Sequence, residues 1–122
     1  AGPCTENILY TCAAGLIAQS VSGVSHTLGP RSTGGSFKDY LSPLESWWWG
    51  DVFKATGGLT LGKANELVLH CLSKYEDAIK DQPRGKKFTE CFDLETLEPT
   101  AEWKTIHERA REDMIRQGLP LE

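Results

Sequence analysis

The sequence lacks the features that mark several large classes of protein. It has no apolar run of the roughly 18 residues that a membrane-spanning helix needs. It has no excess of basic charge either, because 13 Lys and Arg oppose 17 Asp and Glu and give a net charge of −4. We therefore expect a soluble protein whose partners include neither a membrane nor a nucleic acid.

Cysteine is scarce, and its spacing is typical of neither a disulfide-rich domain nor a zinc site. No CxxC pair occurs, and the one adjacent pair of potential ligands, His70 and Cys71, would point to different faces of a helix. We predict reduced thiols in a cytoplasmic protein and no metal site. The four cysteines are Cys4, Cys12, Cys71 and Cys91.

The sequence opens on Ala1 and lacks the basic and apolar regions of an intact secretory signal. A processed terminus or a piece of a longer polypeptide would explain this start. With 122 residues, the chain has room for one domain with one core. We expect residues 1–122 to form a single helical domain or a C-terminal fragment of a longer chain.

Helical spacing of apolar residues predicts an all-α fold of about four helices with long loops. No segment shows the sustained alternation of a strand. The predicted helices run from a Thr5 cap to Ser22, from Ser42 to about Thr56, from Thr60 to before Pro83, and from Pro99 or Thr100 to Gly118. Ser42, Pro43 and Glu45 give the second helix a capping box. The last helix carries a predicted stripe of Trp103, Ile106, Ala110 and Met114. The third helix carries a predicted stripe of Ala64, Val68, Leu72, Tyr75 and Ile79, flanked by Leu61, Leu67 and Cys71.

Three consecutive tryptophans lie in the second predicted helix. Neighbouring helical residues point about 100° apart, so Trp47, Trp48 and Trp49 sweep roughly 200° of its circumference. Trp48 lies on the predicted core face and Trp49 shares an adjoining stripe with Phe53. Trp47 falls beside Asp51 and Lys54. One small bundle is not expected to bury all three rings. We predict that Trp47, Trp49 and Phe53 contact another subunit or another part of a longer chain.

No group of side chains predicts a catalytic or cofactor-binding site within the sequence. His107 lies beside an apolar stripe, which favours a boundary histidine over a catalytic base. The glycine-rich segment 29–36 lacks the spacing of a phosphate-binding loop and is better interpreted as a flexible connector. The carboxylates between Glu90 and Glu98 are interpreted as a solvated acidic strip.

Six segments spread along the chain resemble the C-terminal part of monomethylamine methyltransferase. Each segment alone is a weak signal, but six in the same order with similar gaps are more specific. The region between residues 24 and 49 is the least similar, and the tryptophan run departs from the aliphatic or Met residues expected there. The segments are AGPCTE (1–6), GDVFKATGG (50–58), LSKYE (72–76), GKKFTECFD (85–93), PTAEW (99–103) and Gly118-Leu119.

The resemblance implies the C-terminal helical part of a (β/α)8 barrel enzyme of methanogenesis. Such enzymes transfer a methyl group from monomethylamine to the cobalt of a separate corrinoid protein, and archetypal members carry pyrrolysine in the barrel. No pyrrolysine position falls on this sequence. We therefore expect no cofactor in this segment, a corrinoid protein as partner, a homo-oligomer, and a role in packing, oligomerisation or docking. The alternative is a stand-alone helical protein-interaction module with a Trp-rich binding surface.

Overall fold

The computed structural model describes residues 1–122 and is mostly helical. Two 3-10 turns lie in the connections between helices: Ser32–Gly35 between α1 and α2, and Glu76–Ala78 after α3. None of the helices is long and apolar enough to cross a membrane. The helices are α1 (Glu6–Val21), α2 (Pro43–Ala55), α3 (Leu61–Tyr75), α4 (Phe88–Cys91) and α5 (Ala101–Arg116), and the strands are β1 (Phe92–Asp93) and β2 (Glu98–Pro99).

Side-chain caps begin the four long helices where the sequence predicts them. The hydroxyls of Thr5, Thr60 and Thr100 each accept a hydrogen bond from the backbone N–H three residues later. At α2, the Ser42 N–H donates to Glu45 Oε1 at 3.1 Å, which completes the capping box. These caps satisfy backbone donors that have no partner within their own helix.

Helix α1 is the centre of the fold. It packs against α2, α3 and α5, and this explains why its apolar residues are spread around its circumference instead of following one stripe. Its small residues Ala13 and Ala14 are buried, whereas nothing approaches the Cβ position of Gly15. The buried residues of α1 are Ile8, Leu9, Tyr10, Cys12, Ala13, Ala14, Leu16 and Ile17.

The buried face of α3 lies to one side of the stripe that the sequence predicts. Ala64, Leu67 and Cys71 are buried because this side faces α1. Ile79 is 53% exposed and lies beyond the end of α3, since the chain leaves the helical conformation at Tyr75 (φ −133°, ψ −3°). The predicted stripe on α5 is closer to the structure: Trp103, Ala110 and Met114 are buried and Ile106 is partly buried.

The prediction of no strand was wrong for the connector before α5. There β1 and β2 pair antiparallel, with Phe92 opposite Pro99 and Asp93 opposite Glu98. Asp93 shapes the turn, because its Oδ1 accepts hydrogen bonds from the N–H groups of the two residues at positions 95 and 96. Strands of two residues are too short to show the alternation on which a sequence prediction depends.

Candidate functional site: the tryptophan helix

Trp48 is a core residue of α2. Its side chain is 0% exposed, and its indole Nε1–H donates to the Leu9 carbonyl of α1 at 2.8 Å. The His107 ring of α5 meets it edge-on, with 5.6 Å between centroids and an interplanar angle of 86°. Trp48 therefore joins three helices and has no free polar atom to offer another molecule.

Trp47 is the exposed member of the run. Its side chain is 51% exposed and touches the buried Phe92 edge-on, with 6.1 Å between ring centroids. The indole N–H groups of the other three tryptophans each donate to a group of the chain. Trp47 makes no such bond, so both its ring and its donor are available to solvent or to a partner.

A shallow groove of about 330 Å³ lies at the start of α2 and is lined by Leu41, Ser42, Pro43, Ser46 and Phe88. Phe88 links the groove to Trp47, because it lines the groove and packs against Phe92 at 5.3 Å between ring centroids. Leu41, which also lines the groove, is 50% exposed. We call Leu41, Pro43, Trp47 and Phe88 the Trp47 surface, and the buried Phe92 lies beneath it.

Trp49 and Phe53 lie on a different side of α2. Both side chains are partly buried and pack against the core. The Trp49 indole N–H donates to the Thr27 hydroxyl, which ties the long loop after α1 to α2. Leu28, the next residue of that loop, is fully exposed. We call Leu28, Trp49 and Phe53 the Trp49 surface, so the predicted interface residues Trp47, Trp49 and Phe53 are divided between two surfaces.

The buried carboxylate of Glu45 lies in the first turn of α2. Glu45 Oε1 accepts from the Ser32 hydroxyl at 2.7 Å, and its Oε2 accepts from the Ser42 hydroxyl. The same Ser42 oxygen accepts the Trp103 indole N–H at 3.0 Å. Burial raises the pKa of Glu45, and the hydrogen bonds from the two serines only partly offset this effect. The capping box was predictable, but the links to Ser32 and Trp103 were missed because they depend on tertiary packing.

A second buried carboxylate joins three helices. Asp113 Oδ2 of α5 accepts the Tyr10 hydroxyl of α1 and contacts His70 Nε2 of α3, each at 2.6 Å. Burial acts to raise the pKa of Asp113, but the hydrogen bonds from His70 and Tyr10 outweigh it and lower the pKa. Burial and the bond to Asp113 raise the pKa of Tyr10. These groups satisfy one another, and no sequence signal distinguished Asp113 from its charged neighbours on α5.

The remaining candidates, His107 and the four cysteines, lie in the core or at its edge. His107 is partly buried against Trp48, and burial lowers its pKa, in agreement with the predicted boundary position. The four cysteines are buried and unpaired. Burial raises the pKa of Cys12, Cys71 and Cys91 to about 12, so these thiols stay protonated at neutral pH. No group of three or more His, Cys, Asp or Glu side chains is arranged to hold a metal ion.

Comparison with known proteins gives one consistent result. The family model described as monomethylamine methyltransferase MtmB matches residues 1–119. The chain is 34% identical over 119 residues to monomethylamine methyltransferase MtmB1 of Methanosarcina barkeri, and 33% identical to MtmB of Methanosarcina mazei. Each match covers 98% of this chain and 26% of the relative.

The fold is shared as well as the sequence. The crystal structure of the Methanosarcina barkeri monomethylamine methyltransferase superposes with a TM-score of 0.90, and that of a hydroxylamine complex of MtmB with a TM-score of 0.91, both at 34% identity. Both superpositions cover 98% of this chain and 26% of the solved chain. The chain is thus similar to a helical segment about a quarter as long as these relatives, and it belongs to the monomethylamine methyltransferase family.

Proposed function

We propose that this chain serves in corrinoid-dependent methyl transfer from monomethylamine, as the C-terminal helical part of a methyltransferase. The match over residues 1–119 and the names of the relatives support this proposal. In the reaction, an amine is held so that its methyl group faces a cobalt nucleophile. The corrinoid is carried by a separate partner protein, and no residue of this chain is assigned to it.

The role of this segment is contact with other parts of the assembly, not bond making. Its two buried carboxylates are occupied by internal hydrogen bonds, to Ser32 and Ser42 in one case and to Tyr10 and His70 in the other. The observation that carries this contact role is the half-exposed Trp47, because large exposed aromatic residues are enriched at interfaces.

Each apolar surface of α2 has its own role in this proposal. The Trp47 surface docks a partner protein, for which the corrinoid protein is the candidate that the family suggests. The Trp49 surface, with its fully exposed Leu28, supports homo-oligomerisation. The proposed compartment is the cytoplasm, because a reducing compartment would keep the four buried, unpaired thiols reduced.

A stand-alone helical interaction module is the second candidate function. The exposed Trp47 supports the interaction module as well as it supports the methyltransferase segment, because either kind of protein can use a contact surface. The two candidates differ in one testable respect: only a methyltransferase segment can replace its counterpart in an active enzyme.

A segment exchange tests the proposal. The matching segment of the Methanosarcina barkeri methyltransferase is replaced by residues 1–119 of this chain, and monomethylamine-dependent methylation of its corrinoid protein is measured. We expect an active enzyme, because the two segments share one fold. The control exchange carries Trp48→Ala, which removes a core side chain and should abolish activity by unfolding the segment. An exchanged enzyme that is folded and binds its partner, yet transfers no methyl group, would contradict the proposal.

A further inference from the structure

We propose that the cavity lined by Thr33, Phe37 and residues 81–84 binds a free amino acid in its zwitterionic form. The carboxylate of the amino acid lies on Arg84 and its ammonium group lies on Asp81. The inference goes beyond the methyltransferase role proposed above and does not depend on it, because the cavity shares no residue with the Trp47 surface or the Trp49 surface.

The cavity has a volume of about 590 Å³, which is within the range of small-molecule sites. Backbone contacts hold its walls together. The Gly2 N–H donates to the Pro83 carbonyl at 3.1 Å, and the Thr33 N–H donates to the Ala1 carbonyl at 2.6 Å. A Cβ on Gly2 would lie only 1.8 Å from the Arg84 carbonyl oxygen, so these two backbones are in direct contact. The cavity is therefore built before a ligand enters it.

Two opposite charges line this cavity without neutralising each other. Asp81 and Arg84 are both exposed, and neither takes part in an ion pair. A ligand that carries only a carboxylate would be repelled by Asp81, and one that carries only an ammonium group would be repelled by Arg84. A zwitterion complements both charges.

The guanidinium group of Arg84 is held in place by aromatic rings. Its Cζ lies 3.9 Å from the centroid of the Phe37 ring and 5.9 Å from that of Tyr40. Stacking on a ring uses the face of the guanidinium and leaves the N–H groups at its edge free to donate to a carboxylate. Phe37 also gives the cavity an apolar wall for the side chain of the amino acid.

Two unpartnered polar atoms belong to residues of the same cavity. Thr33 Oγ1 and Gln82 Oε1 are buried and have no hydrogen-bond partner. Such atoms are rare in folded proteins and require an explanation. The Gln82 oxygen can only accept, which suits an ammonium N–H, whereas the Thr33 hydroxyl can donate to a carboxylate. An amino acid supplies both partners once these side chains turn toward it.

The backbone of Thr33 is strained at this wall. Its φ of 54° and ψ of 20° place a β-branched residue in the left-handed region, which such residues rarely adopt. Strained residues cluster at binding and catalytic sites, where the surrounding structure holds them. Here the 2.6 Å bond to the Ala1 carbonyl holds Thr33 at the cavity.

Three related probes test the two charges without any substitution. L-Leucine carries both charges, N-acetyl-L-leucine carries only the carboxylate, and L-leucine amide carries only the ammonium group. Each is titrated into the ¹⁵N-labelled full chain, and the backbone amide signals of Phe37 and Gln82 are followed. We expect saturable shifts with leucine and at least about tenfold weaker binding of the two blocked probes, because each loses one charge-assisted contact.

Charge variants assign each end of the amino acid. Arg84→Gln should weaken the binding of leucine but not that of leucine amide, and Asp81→Asn should weaken the binding of leucine but not that of N-acetylleucine. A merely structural role of either residue would weaken all probes alike. The matched controls are Arg109→Gln and Glu112→Gln, which remove exposed charges from α5 and should leave all affinities unchanged.

The α-amino group of Ala1 is a second possible source of positive charge, because Ala1 also lines the cavity. Burial lowers the pKa of this group and so favours its neutral form. Acetylation of Ala1 should therefore leave the affinity for leucine unchanged.

Several outcomes would overturn the inference. Absence of saturable leucine binding, or equal binding of the three probes, would exclude a zwitterion site even if a variant failed to fold. Leucine binding that is lost on acetylation of Ala1 and kept in Arg84→Gln would show that the carboxylate does not lie on Arg84.

Discussion

At the residue scale, the three consecutive tryptophans lie in three environments that helix geometry imposes. Trp48 points into the core and donates to Leu9, Trp49 points toward the loop and donates to Thr27, and Trp47 points outward. The sequence predicted this divergence because rotation per residue is a local property of a helix. It could not predict Thr27 or Leu9 as partners, since both are distant in the chain.

Substitution of the two neighbouring tryptophans should affect stability very differently. Trp48→Ala removes a fully buried ring and should lower the free energy of unfolding by about 3–5 kcal/mol. Trp47→Ala removes a half-exposed ring and should lower it by about 1 kcal/mol or less. Urea denaturation followed by circular dichroism measures both values. Similar losses in the two variants would show that Trp47 belongs to the core.

The buried carboxylate of Glu45 should make stability depend on pH. Because burial raises its pKa above the ordinary value of 4.5, the folded state holds the Glu45 proton more tightly than the unfolded state does. This group therefore stabilises the fold least at neutral pH, and its contribution falls as pH rises from about 4.5 through the folded pKa.

Glu45→Gln removes this titration and keeps an acceptor for Ser32 and for the Ser42 N–H. The free energy of unfolding of Glu45→Gln should increase relative to that of the wild type as pH rises from about 4 to about 8. Denaturation curves of both proteins across this range give the difference. A difference that does not change with pH would contradict the inferred pKa direction.

The ends of the helices could be predicted from the sequence, but their buried faces could be predicted less well. The caps at Thr5, Ser42, Thr60 and Thr100 depend on residues within one turn, so the sequence contains all the necessary information. The buried face of α3 depends on where α1 lies, and the β1–β2 hairpin depends on eight residues with no periodic pattern. The Tyr10–Asp113–His70 cluster depends on three helices at once and left no local signal.

Removal of one hydrogen bond measures how much the Tyr10–Asp113–His70 cluster contributes to stability. Tyr10→Phe removes the donor at 2.6 Å from a buried, charged Asp113 and should cost about 1.5–3 kcal/mol of unfolding free energy. The matched control is Tyr75→Phe, because the partly buried Tyr75 hydroxyl donates to no group of the chain, and it should change stability by less than about 0.5 kcal/mol. Equal effects of both substitutions would mean that Asp113 does not link α1 to α5.

The chain as a whole is a helical segment that covers 26% of its relatives and presents two apolar surfaces, each built partly from α2. The family was predictable because its six segments are distributed from Ala1 to Leu119. The two surfaces consist largely of residues outside those six segments, among them Leu28, Leu41 and the first two tryptophans. The sequence therefore predicted the membership and the exposed Trp47, but not the groove at the start of α2.

The exposure of Trp47 before and after assembly is the measurement that tests this account most directly. Hydroxyl-radical footprinting with mass spectrometry is applied to the isolated chain and to the exchanged methyltransferase with its corrinoid protein. We expect Trp47 to be oxidised readily in the isolated chain and protected several-fold in the assembly, while Trp48 stays protected in both. Equal oxidation of Trp47 in the isolated chain and in an active assembly would contradict the account.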